Sequence, residues 1–349
     1  MNKIGEKLIT FVVPAYNIAD YIDQCIQSIL NQTEQDFKII IVDDGSTDNM
    51  TFDKGKQYAE KYSDIVTFIS QENKGLGGAR NTGMDKVETK YMMFLDSDDW
   101  IDINFVKNLK SELNKVKTDL IDIIFAMPTI YDNLSGEYID WYDKEVFKEI
   151  FGSNRICNPY ENKKVFKLEP NVCRRVFRTE FIKNINFQFD EHVKYEDVYP
   201  HFYLLDYAKK CMGLDITSFY YRINRPNQIT SLQNETRLDV VKVFAKTLEY
   251  LIKTNKEEEI IYCAMDMMMN FSFWCINNSH IHIRKKLIEQ LAKLYIAIPK
   301  STWKKYNKSR KNKKVTIYSY IMRYKFLRRI FNDYAYVEIG KHFIIRGTK

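Results

Sequence analysis

Short apolar runs alternating with stretches of helical spacing fill the first half of the chain. Residues 8–13 (Leu-Ile-Thr-Phe-Val-Val) barely alternate, which reads as a strand buried on both faces, and Pro14 ends it by removing a ladder donor. Between 19 and 31 the apolar side chains fall at Tyr21, Ile22, Cys25, Ile26, Ile29 and Leu30, a helical spacing. Runs at 37–42 and 65–69 predict a second and a third strand, joined by a helix to about Tyr62 that Thr47 or Asp48 can cap. The loop from Gln71 to Gly78 then opens a helix carrying Arg80 and Asn81. A fourth strand, 91–95, runs straight into Asp96-Ser97-Asp98-Asp99. Strands alternating with helices of this length predict an α/β domain with a largely parallel sheet.

A helix over 102–116 and a strand over 122–127 follow. From Pro128 to about Pro170 the periodicity weakens, and loops and short pieces are expected there, set over a bound acceptor. Order returns with Val176-Phe177, a helix near 179–184, and Tyr195–Pro200 leading into a helix to about Ala208; residues 216–222 are strand-like. Beyond residue 232 the pattern changes to long helical stretches near 235–254, 257–276 and 282–297. Met265, Met267, Met268, Met269, Phe271, Phe273 and Trp274 are read as helix-packing residues there. The expected organisation is an α/β domain over 1–232, a helical domain over 233–300 and a basic, aromatic-rich tail over 301–349.

Charge sharpens that division. The net charge is +7, yet residues 301–349 hold 14 Lys and Arg against 2 acids, which leaves the rest of the chain net negative. The tail, with Trp303, Tyr306, Tyr318, Tyr320, Tyr324 and Phe326 among its basic residues, suits an anionic neighbour, and a membrane face fits basic residues mixed with aromatics. No apolar run approaches the roughly 18 residues of a membrane span, and the run into Pro14 is too short for a secretory signal. Six Cys without a C-x-x-C pair read as buried thiols of a cytosolic protein. The expected place is cytoplasmic, peripheral to the inner face of the cell membrane.

Three carboxylates within four positions, at the end of a buried strand, repel one another and lose hydration, so folding alone gives no reason to place them there. A divalent cation supplies one, because hard cations take carboxylate oxygens. In open α/β sheets, ligands bind outside the carboxyl ends of the strands. The loops Pro14-Ala15-Tyr16-Asn17, Asp43–Asp48, Gly75–Asn81 and Asp96–Asp99 would converge on one such crevice. Asp44 is suited to accept hydrogen bonds from a base and a ribose, and Tyr16 offers a stacking face. Gly75, Gly77 and Gly78 allow close backbone approach, and Arg80 supplies fixed positive charge near phosphate. Arg80 stands where a G-x-G-x-x-G fingerprint needs its third glycine, which argues against a dinucleotide site.

Together Val13–Asn17, Ile41–Asp48, Asn73–Asn81, Phe94–Asp99 and Tyr195-Glu196-Asp197, in this order, resemble the family 2 glycosyltransferases of GT-A fold, in particular the bacterial group that builds surface and capsular polysaccharide or cell-wall glycan. The resemblance covers roughly residues 6–232. It implies a Rossmann-like nucleotide-diphospho-sugar transferase domain with a mostly parallel mixed sheet. It also implies a nucleotide-sugar donor, UDP-linked, held by the first loop and Asp44, and Mn²⁺ or Mg²⁺ on its diphosphate with Asp98 as direct ligand. Asp96 would face the ribose or the metal's waters, Ser97 and Asp99 would lie against the nucleotide sugar, and the catalytic base would be Asp197, with Glu196 the alternative. A glycan or lipid-linked acceptor and an inverting outcome follow from the resemblance. Such chemistry needs a base for the acceptor hydroxyl and no enzyme nucleophile.

Other readings stand beside these. Asp197 could instead cap the helix it opens, and Arg222 and Arg225, which could meet the diphosphate or an anionic acceptor, could form an ordinary surface turn. A non-catalytic scaffold that keeps the fold and binds a polyanion or membrane is the rival, against which the carboxylates at 44, 96, 98 and 197 tell. A nucleotidyltransferase ranks lower, because no glycine-rich basic loop follows the first strand. Nucleic acid is not the expected partner.

Overall fold

A computed structural model of the chain describes residues 7–116, 121–226, 228, 233–310 and 313–330. Two compact units divide it, Met1–Arg225 and Pro226–Lys349. The boundary expected at 232 and residues 331–349 of the basic tail lie outside the described residues.

In the first unit, β1 (Ile9–Ala15), α1 (Ala19–Leu30), β2 (Phe37–Asp43), α2 (Met50–Lys61), β3 (Val66–Ser70), α3 (Gly75–Asp85) and β4 (Tyr91–Phe94) alternate as the apolar runs predict. After them come β5 (Trp100–Ile101), α4 (Phe105–Lys115), β6 (Ile123–Asp132), β7 (Tyr138–Asp140), α5 (Lys144–Phe151) and β8 (Ile156–Cys157). The unit closes with β9 (Arg175–Arg178), α6 (Thr179–Asn184), α7 (Val198–Tyr207) and β10 (Cys211–Ile223). One ten-stranded sheet runs β3-β2-β1-β4-β9-β6-β10-β5, with β7 on β6 and β8 on β10. Strands β3, β2, β1 and β4 are mutually parallel, β9 inserts antiparallel between β4 and β6, and β10 returns parallel to β6. The sheet is therefore mixed. β1, β2 and β4 are buried almost throughout, which explains why they read as continuous apolar runs. On α1, Ile22, Cys25, Ile26 and Ile29 are fully buried, each isoleucine contributing about 1.5–3 kcal/mol by leaving water.

Three expectations need correction. Pro14 does not end β1: it pairs with Val42, and Ala15 with Asp43. The carbonyl of Val12 accepts from Leu95 N, so Pro14, two residues on, faces the side where β4 has already ended and no donor is required. Residues 128–170 are more regular than the weak periodicity suggested. β6 continues through Pro128 to Asp132, β7 turns back on it, and α5 buries Phe147, Ile150 and Phe151. β5, only two residues long and antiparallel to β10, went unforeseen because local periodicity cannot mark so short an edge strand.

The second unit holds α8 (Asp239–Lys253), α9 (Glu258–Asn277), α10 (Ile281–Ala297), α11 (Lys300–Ser309), α12 (Lys313–Arg323) and α13 (Lys325–Ile330). Met265, Met267, Met268, Met269 and Phe273 are buried between helices, whereas Trp274 is partly exposed under the Arg237 guanidinium at 4.0 Å. Part of the expected tail belongs to this core. Trp303, Tyr306 and Tyr318 are buried, and the Tyr306 hydroxyl donates to Asp266 Oδ1 at 2.8 Å. The Tyr306 and Tyr318 rings meet Tyr262 and Phe273 of α9, Tyr318 also meets Tyr295 of α10, and Trp303 packs on Tyr320 and Tyr324, which stay exposed. Among the described residues no helix is long and apolar enough to cross a membrane.

Candidate active site

Because β2, β1 and β4 are parallel neighbours, the loops after them open side by side at one sheet edge. Two strand spacings separate the ends of β2 and β4, about 10 Å.

The loops brace each other before any ligand arrives. Asn17, in the left-handed region at φ 46°, accepts at Oδ1 from the backbone N–H groups of Thr47 (2.7 Å) and Asp48 (3.2 Å), and its amide donates to Thr47 Oγ1 (3.1 Å). Its side chain is thus spent on joining two loops. Tyr16 is left as the exposed face of the first loop, with Pro14 and Ala15 buried in β1 beneath it. Asp44 is buried, and its Oδ1 accepts from Gln71 Nε2 (2.7 Å) and Lys74 N (2.8 Å), which leaves Oδ2 without a hydrogen bond among the described residues. Gln71 was not anticipated; only its position just after β3 marks it.

The glycines allow close packing within the protein. Gly75 has φ 75°, and a Cβ on it would stand 3.0 Å from His192 N; one on Gly77 would collide with the Asp190 carbonyl, and one on Gly78 with the Lys74 side chain. α3 is packed directly on the segment preceding Tyr195-Glu196-Asp197, and the missing side chains make that approach possible.

Arg80 lies at the centre, only 1% exposed. One terminal nitrogen donates to Glu196 Oε1 (2.6 Å) and Asp197 Oδ1 (2.8 Å), the other to Asp96 Oδ1 (2.9 Å). The rings of Phe94 and Phe189 face its guanidinium at 5.9 and 5.6 Å. Arg80 thus ties the β4 acidic loop to Glu196 and Asp197, which lie 116 and 117 residues beyond it in the chain. Asp197 does not cap α7 through its side chain; its Oδ2 accepts from Val172 N at 3.1 Å. Burial pushes the Glu196 carboxyl up to about 7, helped by Asp197 and opposed by Arg80. Asp197 is also raised, by burial first and against Arg80.

Arg222 and Arg225 reach the acidic loop from the end of β10 and the turn after it. Arg222 is buried, donating from Nε to the Asp98 carbonyl (2.9 Å) and from its backbone N to Asp99 Oδ1 (2.8 Å), while its terminal nitrogens bind Asn133 and Gln24. It braces the loop from inside and is not a surface turn. Arg225 pairs through Nε with Asp98 Oδ2. Burial raises the Asp98 carboxyl against that pairing, and burial, with Asp98 and Asp96 next to it, raises Asp99 well above the carboxylate range. Asp99 Oδ2 has no hydrogen-bond partner among the described residues, and Ser97 is buried between the acids.

Among the described residues no group of three or more His, Cys, Asp or Glu is arranged to hold a metal ion. Among the described residues Asp98 Oδ1 and Asp96 Oδ2 nevertheless have no partner side chain, and both side chains are partly exposed. Two hard oxygens from two carboxylates are what Mg²⁺ or Mn²⁺ takes when phosphates and waters complete the shell. Among the described residues Asp96, Asp98, Glu196 and Asp197 pair directly with two guanidinium groups, those of Arg80 and Arg225, and Asp99 adds a fifth carboxylate beside them. An anionic diphosphate needs added positive charge to approach them. The residues present fit such an ion.

A mixed sheet whose parallel half brings acidic loops together at one edge, followed by a helical unit, defines a GT-A-type nucleotide-diphospho-sugar transferase fold. Aligned over 96% of this chain and 91% of the other, Staphylococcus aureus TarS 1-349 in complex with UDP-GlcNAc superposes with a TM-score of 0.72 at 17% identity, a likeness of fold. Residues 10–172 match the profile described as Glycosyl transferase family 2. That segment is a glycosyltransferase family 2 domain. "Uncharacterized glycosyltransferase EpsJ" of Bacillus subtilis is 27% identical over 306 residues, 82% of this chain and 83% of that protein. "Glycosyltransferase GlyA" of Streptococcus pneumoniae is 32% identical over 161 residues, 46% of this chain but only 21% of that much longer protein.

Proposed function

We propose that the protein transfers a sugar from a UDP-linked donor to a hydroxyl of a glycan or lipid-linked acceptor in bacterial surface polysaccharide or cell-wall glycan synthesis. The observation that carries this reading is the Arg80 clamp. It holds a metal-type carboxylate, Asp96, and a base-type carboxylate, Asp197, against one guanidinium, beside the loop that presents Asp44. The gap of about 10 Å between the Asp44 and Asp96 strand ends suits a nucleoside diphosphate laid across β1. Asp44 Oδ2 takes the base or ribose, Tyr16 covers the base, and Asp96 and Asp98 face the diphosphate.

Asp98 and Asp96 would hold Mn²⁺ or Mg²⁺, which would stabilise the charge left on the departing diphosphate. Asp197, oriented at both oxygens by Arg80 and Val172 N, takes the proton of the attacking hydroxyl, and Glu196 beneath it shares the charge. Attack from the face opposite the diphosphate in a single displacement inverts the anomeric centre. Lys300, Lys304, Lys305 and Lys308, exposed on α11, suit anionic headgroups, consistent with a peripheral place on the cytoplasmic membrane face.

UDP release from a panel of UDP-sugars with Mn²⁺ tests the reading. Asp197→Asn should keep UDP binding while losing transfer by roughly 100- to 10,000-fold. Undiminished transfer in that variant would move the base elsewhere.

A further inference from the structure

Four aromatic rings from four different strands close a circuit beside the acidic loop. Trp100 on β5 stacks on Tyr220 of β10 at 5.2 Å and 19°; Tyr220 meets Tyr138 of β7 at 5.6 Å; Tyr138 meets Tyr131 of β6 at 5.3 Å; and Tyr131 returns edge-on to Trp100 at 5.1 Å. The quartet is not sealed in the core. Tyr138 is 60% exposed, the other three rings are half-buried, and every residue of β7 faces solvent. The hydroxyls of Tyr131 and Tyr138 make no hydrogen bond among the described residues. Tyr220 donates to Asp102 Oδ2 at 3.1 Å.

The quartet is continuous with the site. Trp100 directly follows Asp98-Asp99 in the chain, and the Arg222 guanidinium that braces that loop lies over Trp100 at 4.7 Å and Tyr131 at 5.6 Å. A ligand resting on the rings therefore has one end at the acidic loop. Its chemistry follows from what surrounds the rings. Flat π faces favour the apolar C–H face of a pyranose. Free phenol hydroxyls and the Asp102 carboxylate match equatorial hydroxyls. Asp132, Glu137 and Asp140 on the same hairpin disfavour a polyanion, since Lys144 is the basic residue paired there, with Asp140.

Resting on the transferase reading above, we infer that Trp100, Tyr131, Tyr138 and Tyr220 form the acceptor subsite, and that its occupant is an uncharged pyranose chain rather than a phosphodiester polymer. A second copy of this chain would want a dry apolar surface, whereas these rings alternate with carboxylates and unbonded hydroxyls.

Saturation-transfer NMR on the full chain with UDP and Mn²⁺ tests this. The probes are neutral oligosaccharides (chito-, malto- and gluco-oligosaccharides) and, separately, poly(ribitol phosphate). A neutral probe should bind, Tyr138→Ala should weaken it about tenfold, and Tyr138→Phe should retain most of it. Donor hydrolysis should be unchanged in both variants. Binding of poly(ribitol phosphate) alone, no binding by any neutral probe, or equal binding by Tyr138→Ala would each overturn the subsite. So would a dimer in solution that Tyr138→Ala dissociates. Failure of the wild-type protein to release UDP from any UDP-sugar would instead strike the transferase reading, which the NMR measurement does not test.

Discussion

Replacing Arg80 with methionine keeps its approximate length and removes the one cation that meets three carboxylates. The guanidinium is 1% exposed, and Asp96, Glu196 and Asp197 are 24%, 9% and 19% exposed at their side chains. Removing one partner of a buried ion pair costs about 3–5 kcal/mol, because the other charge is left uncompensated. That is a large part of the roughly 5–15 kcal/mol that holds a domain folded, and for a unit of 225 residues it corresponds to ~10 °C in Tm. The effect must also depend on pH. Glu196 titrates at about 7 in the folded protein against 4.5 ordinarily. Between those values the native state binds more protons than the unfolded one, so stability falls as pH rises, by up to about 1.4 kcal/mol per unit. Arg80 lowers both Glu196 and Asp197; without it their folded values climb further and the loss continues past neutrality. Calorimetry of the full-length wild type and Arg80→Met at about pH 5 and about pH 8 should show a small gap at the acid end and the full gap at the alkaline end. A gap under about 1 kcal/mol, or one independent of pH, would refute the clamp.

Three further outcomes follow. The acid limb of kcat/KM should have its midpoint well above the ordinary carboxylate range and move toward 7, because the Glu196–Asp197 pair must lose a proton before it can accept one; a midpoint near 4 would contradict the base assignment. Gly77→Ala should destabilise the fold by about 1–3 kcal/mol, since its methyl overlaps the Asp190 carbonyl; an unchanged Tm with a raised donor KM would restore Gly77 to the phosphate. Asp44→Ala should weaken UDP binding, and UDP titrations equal to wild type would remove Asp44 from the base and ribose.

The parallel half of the sheet was legible because both faces of β1, β2 and β4 are covered, so burial is written into the sequence as unbroken apolar runs. The acidic loop was legible for the opposite reason: Asp96, Asp98 and Asp99 make no sense as packing residues. What local pattern could not show was long-range pairing. Nothing near Arg80 in the chain says that it has partners at 196 and 197. The glycines are similar, since a missing Cβ signals close approach without saying by what. In the second unit, basic residues around Trp303, Tyr306 and Tyr318 suggested a surface, while spacing alone did not reveal that these three rings turn inward.

The central claim is that Asp96 and Asp98 with a donor's diphosphate form one divalent-cation site. Electron paramagnetic resonance of Mn²⁺ tests it most directly, because the free-ion signal falls when the ion binds. Wild-type protein with UDP should deplete that signal, protein without UDP should deplete it far less, and Asp98→Ala with UDP should leave it as UDP alone does. A free Mn²⁺ signal untouched by wild-type protein and UDP together, or depleted equally by Asp98→Ala, would contradict it.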